Sequence, residues 1–261
     1  MPELPDLHVF SINLKKRLLS KRIESVTIVD PLKIDTPNLF RERLTGTHIQ
    51  DIVREGKELR FVTENKNSFN VHLMMHGNFS IIDRNGVDKN PVKMISLCFE
   101  DAQNLVIADK DKRCKVTLNA KFSDVPDALA DTFTLEYFKG VLKKNARKNI
   151  KAVLVDQHVV RGIGNAYVDE ILWKADISPE SVTGKIPEEK VKDLHEAIPF
   201  IFNDAIQNIL KISPDIISGE IRSFLKVHNY SKKFTDEGDK IIKKTVAGKD
   251  TFFTDKQKKY I

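Results

Sequence analysis

A chain of 261 residues, 41% hydrophobic and 31% charged, is long enough for two domains with a core each. It has no apolar run of membrane-spanning length and no basic-then-apolar leader, so a cytoplasmic, nucleoid-associated or nuclear location is expected. Two cysteines, Cys98 and Cys114, exclude a disulfide framework or a four-ligand zinc site of their own, and a net charge of +6 favours an anionic partner.

The chain starts Met1-Pro2-Glu3-Leu4-Pro5-Asp6. Pro2 and Pro5 suit the first turn of a helix, which is the plain reading of the stretch. Loss of Met1 would give Pro2 a free secondary amine beside a carboxylate. An α-amino group titrates at about 7.7–8.0, and a helix N-terminus lowers that further, so such an amine is a candidate nucleophile. Leu7, Phe10, Leu14 and Leu18 then recur at helical spacing.

From Arg22 to about Leu118 the pattern becomes that of short strands: 25–29, 48–53, 58–63, 69–75, 78–82, 94–99 and 105–108. Turns are expected at Asn65-Lys66-Asn67, Arg84-Asn85-Gly86 and 101–104. Many short strands behind one helix predict a β-sandwich or barrel. Cys98, in the run Met94-Ile95-Ser96-Leu97-Cys98-Phe99, reads as a buried core thiol.

Residues 123–134 read as a linker, after which helices are predicted over 135–142, 150–155, 166–174, 187–210 and 219–227. The tail from His228 to Ile261 fits a β-hairpin. Lys143, Lys144, Arg147, Lys148 and Lys151 cluster at one predicted helix start, and the last thirty residues carry nine lysines against five acids. Charge runs are ordinarily solvated faces, so these leave a nucleic-acid partner as one option among several. Gly162-Ile163-Gly164-Asn165 describes a tight turn opening a helix, whose amides can bind a phosphate; Asn165 would cap the helix or offer its side chain to the same phosphate.

The start MPELPD, the segment GIGNAY and the late GKDTFF together resemble the formamidopyrimidine-DNA glycosylase / endonuclease VIII family of base-excision repair enzymes, across the whole chain and in family order. The resemblance implies an α+β protein. A catalytic β-sandwich domain flanked by a helix (1–122) would precede a linker (123–134), a helix–two-turn–helix domain (135–227) and a β-hairpin finger (228–261). It implies a bifunctional DNA glycosylase and abasic-site lyase that acts as a monomer on duplex DNA, with no cofactor. Pro2 matches the Schiff-base nucleophile and Glu3 the carboxylate acting on the sugar. Lys57 matches a lysine contacting phosphate, although alone it would read as a solvated turn residue. Asn165, with Gly164 beside it, matches the phosphate-holding asparagine, and Lys249 a basic residue at the hairpin tip, usually arginine. Met75 matches a methionine entering the space left by the everted nucleotide, with a core methionine as the alternative. Arg113 matches an arginine serving the same gap.

Departures from the family pattern define a second reading. Asp6 stands for a glutamate, and Lys115 stands where a phenylalanine is usual. The segment 205–227 is short, which makes oxidised pyrimidines or ring-opened purines at least as apt as 8-oxoguanine. Phe234, Glu237, Thr254 and Gln257 occupy the positions of four zinc-binding cysteines, so a zincless finger is expected, packed by Phe234, Ile241, Phe252 and Phe253. The alternative function is a damaged- or abasic-DNA-binding protein of this fold whose catalysis is lost or reduced to the lyase step.

Overall fold

The structure, a computed structural model, describes residues 1–29, 34, 36–84, 86 and 92–261. The chain forms two compact units, Met1–Phe122 with Ile209–Glu220, and Ser123–Asn208 with Ile221–Ile261.

In the first unit, α1 (Leu4–Leu18) buries Leu7, Phe10, Leu14 and Leu18, the stripe expected from their spacing. Two four-stranded antiparallel sheets share the same apolar core. One has the order β1 (Ile23–Ile28), β6 (Lys93–Phe99), β7 (Gln103–Asp109), β5 (Gly77–Asp83). The other runs β2 (Ile49–Glu55), β3 (Glu58–Thr63), β4 (Ser68–His72), β8 (Lys115–Leu118). Inside, Phe61 stacks on Phe69 with centroids 4.6 Å apart, Phe40 meets Phe69 edge-on at 5.4 Å, and Phe79 lies 6.0 Å from Phe61. Each such ring, fully removed from water, contributes about 1.5–3 kcal/mol. Cys98 is buried as expected.

Several elements differ from expectation. The strand expected over 69–75 stops at His72, because Met74 takes a positive φ of 54° and Gly77 N–H closes a turn on the Leu73 carbonyl. A helix, α2 (Pro37–Leu44), opens on Thr36-Pro37, and the short strand β8 pairs with β4; neither is among the expected elements. The turn expected at Arg84-Asn85-Gly86 centres on Asn85, outside the described residues.

The second unit contains α3 (Leu135–Lys144), capped by Thr134, α4 (Ile150–Leu154), capped by Asn149, α5 (Asn165–Lys174) and most of α6 (Glu188–Ile212). Residues 123–134 belong to this unit, with Ala128 and Phe133 buried in it. The helix expected over 219–227 is absent. Its apolar spacing was helical, but the amides of Lys226, Val227 and His228 donate instead to the Glu170 carboxylate at 2.9, 2.8 and 2.7 Å. The hairpin is present: β9 (Ile242–Val246) pairs with β10 (Lys249–Phe253) across Ala247-Gly248. Both turn residues have positive φ, 51° and 73°, the two-residue geometry that follows the strand twist.

Candidate active site and phosphate-binding site

Pro2 is buried, directly ahead of α1. Glu3 is the N-cap, 4% exposed, and Asp6 is 1% exposed. The pair forms a reciprocal box: Glu3 N–H donates to Asp6 Oδ2 at 2.9 Å, and the Glu3 side chain accepts from the Asp6 backbone. Asp6 therefore fixes the residue next to Pro2, and the helix N-terminus favours both negative charges. The Met1 amine pairs with Glu220. With Met1 attached, the Pro2 nitrogen is a tertiary amide without a nucleophilic lone pair, so chemistry at Pro2 requires removal of Met1.

Lys57 sits in the two-residue turn between β2 and β3, after Gly56 with φ 59°. The turn is braced from both strands. Arg54 donates to the Gly56 carbonyl at 3.1 Å, and the buried Arg60 guanidinium forks onto the Glu55 carboxylate at 2.7 and 3.0 Å. Burial, with help from the charges of Lys57 and Lys115, pushes the His72 imidazole below its usual range; Glu58 opposes this. A neutral ring agrees with the geometry, since His72 Nδ1 accepts from the Met74 N–H at 3.1 Å.

Met75 is 51% exposed, which excludes its core alternative. It lies between β4 and β5, and the exposed Arg113 lies between β7 and β8. A His76–Asp111 hydrogen bond ties these two connections together, and it holds the Asp111 carboxyl below its usual range. Asp109 stiffens the second connection by accepting the N–H groups of Asp111, Arg113 and Cys114 at 2.9, 2.6 and 2.7 Å. Lys115 is exposed, opposite His72 on β4.

In the second unit, the turn before α5 is stapled by Gln157. Its amide nitrogen donates to the carbonyls of Val155 and Ile163, both at 2.9 Å, and its oxygen accepts from Gly162 N–H at 2.9 Å. Gly162 has φ 105°, a conformation that favours glycine. The N-cap of α5 is Gly164, not Asn165. Glycine brings no side chain to the first-turn amides, which leaves that end of the helix shaped for an anion. Asn165 Nδ2 donates to the Asp250 carbonyl at 2.9 Å, while its Oδ1 is buried with no hydrogen-bond partner in the protein. Asn165 and Lys249, 84 positions apart in sequence, thus meet through Asp250.

Lys151 does not belong to the exposed basic cluster. It is 0% exposed, and its ammonium reaches Asp169 Oδ1 at 2.8 Å, Thr251 Oγ1 at 2.7 Å and the Asp250 carbonyl at 3.2 Å. Asp169 Oδ2 accepts from His228 Nδ1 at 2.7 Å and from Phe252 N–H at 2.9 Å. Sequence reasoning missed Asp169, Glu170, His228 and Gln157; the first three take partners far along the chain, so no local pattern marks them, whereas Gln157 binds only within 155–163.

The finger positions do not fit zinc. Phe234 has no donor atom and is 57% exposed, which also removes it from the expected packing. Gln257 already spends its amide, accepting from Thr254 N–H at 2.9 Å and donating to the Ile177 carbonyl at 2.8 Å. Among the described residues no group of three His, Cys, Asp or Glu side chains could hold a metal ion.

Comparison with known proteins matches residues 1–116 to the formamidopyrimidine-DNA glycosylase N-terminal domain and residues 125–213 to the formamidopyrimidine-DNA glycosylase H2TH domain. The chain belongs to the formamidopyrimidine-DNA glycosylase family. It is 33% identical over 215 residues to the formamidopyrimidine-DNA glycosylase of Protochlamydia amoebophila, covering 79% of this chain and 77% of that one. Against the enzyme of Lactococcus lactis subsp. lactis it is 32% identical over 268 residues, 97% of each. A crystal structure of the Lactococcus lactis enzyme, non-covalently bound to DNA containing an abasic site, superposes with a TM-score of 0.86 and 28% identity. That match covers 99% of this chain and 100% of the other. Within the family, Pro2, Glu3, Lys57, Met75 and Arg113 fall in the N-terminal domain, and Gly164 and Asn165 in the H2TH domain. No described helix is long and apolar enough to cross a membrane.

Proposed function

We propose that this protein is a base-excision repair glycosylase and abasic-site lyase that works on duplex DNA wherever the cell keeps it, in the cytoplasm for a cell without a nucleus. What carries the reading is the start of the chain: Pro2 leads directly into a helix whose first turn holds the locked carboxylates of Glu3 and Asp6. Family membership and a neighbour that grips abasic-site DNA support it.

Lys57, Asn165 and Lys249 hold phosphates, and Met75 and Arg113 enter the gap as the damaged nucleotide turns out. Eversion costs a few kcal/mol, least for a damaged or mispaired base, and so contributes selectivity. After Met1 is removed, the Pro2 amine attacks C1′ and the bond from C1′ to the base breaks. The base leaves with a proton, Glu3 relays a proton to the ring oxygen O4′ as the C1′–O4′ bond breaks, and the product is a ring-opened iminium between Pro2 and C1′. Loss of a C2′ proton then expels the 3′ phosphate, and a second elimination expels the 5′ phosphate. Ring-opened purines and oxidised pyrimidines are at least as apt substrates as 8-oxoguanine, on the short segment 205–227.

Base release and nicking should be followed on duplexes carrying a formamidopyrimidine, 8-oxoguanine, an oxidised pyrimidine or an abasic site. Glu3→Gln is expected to slow base release by about 10²–10⁴-fold, the scale of a lost general acid–base group, with duplex affinity unchanged. Base release at the native rate by Glu3→Gln would overturn the assignment of Glu3.

A further inference from the structure

A two-stranded ribbon buries too little apolar surface to be stable alone, so this hairpin needs a fastener. The family's usual metal has no donor set here. In its place β10 and the segment 226–228 meet the two consecutive acids of α5. Asp169 takes the amide of Phe252 and the charge of Lys151, and Lys151 in turn holds Thr251 Oγ1 and the Asp250 carbonyl. Thr251 Oγ1–H completes the chain by donating to the Lys249 carbonyl at 2.9 Å. Asp169 also holds His228 at the entry to the hairpin, and Glu170 holds the backbone of 226–228. The side chains of Lys151, Asp169 and Thr251 are all fully buried.

Two of the links end beside groups expected to face DNA. The Asp250 carbonyl shared by Lys151 and Asn165 orients the Asn165 amide, leaving one Nδ2–H for an outside acceptor. The Thr251 hydroxyl fixes the backbone from which Lys249 projects. We propose that the buried Asp169–Lys151–Thr251 array replaces a metal as the fastener of the hairpin, and that its members are positioning residues which aim Asn165 and Lys249 at DNA phosphate. The proposal rests on the functional reading above. It assigns Lys151 no contact with DNA.

The experiment uses the full chain with Met1 removed, and compares Thr251→Val, which keeps the shape and deletes the hydroxyl, with Thr251→Ser, which restores it. Affinity for a duplex containing a reduced abasic analogue is measured against salt concentration, and turnover is measured at saturating damaged duplex. Thr251→Val is expected to weaken binding about tenfold, the scale of one charge-assisted contact. It should also flatten the slope of log affinity against log salt by about 0.9, one phosphate contact. Turnover at saturation stays native, Thr251→Ser behaves as native, and prior treatment with a chelator changes nothing. Asp169→Asn should show the same split more strongly; if it does not fold, the Thr251 pair still decides. A native salt slope in Thr251→Val, parallel losses in turnover and affinity, or loss of binding on chelation would each overturn the proposal. Failure of the functional reading looks different, because the native protein would then release no base from any duplex of the panel.

Discussion

In the first unit, β3 and β4 are held against their neighbours by phenylalanines, Phe61 flat on Phe69 with Phe40 and Phe79 around them. In the second, β10 is held against α5 by a carboxylate, an ammonium and a hydroxyl, all away from water. Apolar packing is non-directional, and its cost of damage scales with the atoms removed. A buried ion pair is directional: its Coulombic gain is largely spent on desolvation, yet loss of one partner strands the other. The first arrangement suits a scaffold. The second suits a short ribbon that must present particular groups at fixed positions.

The comparison is tested most severely at Asp169. Asp169→Ala leaves Lys151 buried without its counter-charge and should cost about 3–5 kcal/mol. Trp173, the only tryptophan of the chain, lies on α5, so its fluorescence during denaturation reports on this unit. The double variant Asp169→Leu/Lys151→Met should recover most of the loss in stability while leaving duplex binding weak. A single Asp169→Ala variant as stable as the native protein would break the contrast.

At Phe69 the loss should instead be graded. Phe69→Leu is expected to cost roughly 1–2 kcal/mol and Phe69→Ala about 3–5 kcal/mol, read from the far-ultraviolet circular dichroism midpoint. Equal losses would mean that the ring contributes through geometry and not through volume.

The smallest effect concerns pH. Burial raises the Glu170 carboxyl above its ordinary 4.5, although the amides of residues 226–228 oppose the shift. The native state therefore binds the Glu170 proton more readily than the unfolded chain. Its contribution to stability is complete below about pH 4.5 and fades as pH rises through the raised folded value. Glu170→Gln should flatten that part of the pH–stability curve, measured as urea midpoints; an unchanged curve would show that the three amides cancel the burial.

The same contrast explains what could be read from sequence. Alternating apolar residues placed the strands of the first unit closely, 58–63 to the residue, because a two-faced sheet imposes its period on the chain. The stripe on α1 was equally plain. Lys151 looked like one more surface lysine beside Lys148, since its partners are 18 and 100 positions away. The helix expected over 219–227 failed for the same reason, as Glu170 claims its amides from another helix. Asn165 was singled out on its pattern, but the cap is Gly164, and the Asn165 amide is held by the hairpin instead. Local periodicity records where apolar surface goes; long-range polar pairing leaves almost no local mark.

The central claim, covalent chemistry at the amino terminus, is tested by borohydride reduction of the processed protein on abasic-site duplex, followed by peptide mapping of the adduct. The account predicts a one-to-one covalent complex with the sugar carbon on the nitrogen of Pro2. An adduct on a lysine side chain, or none from a chain whose first residue is Pro2, would contradict it.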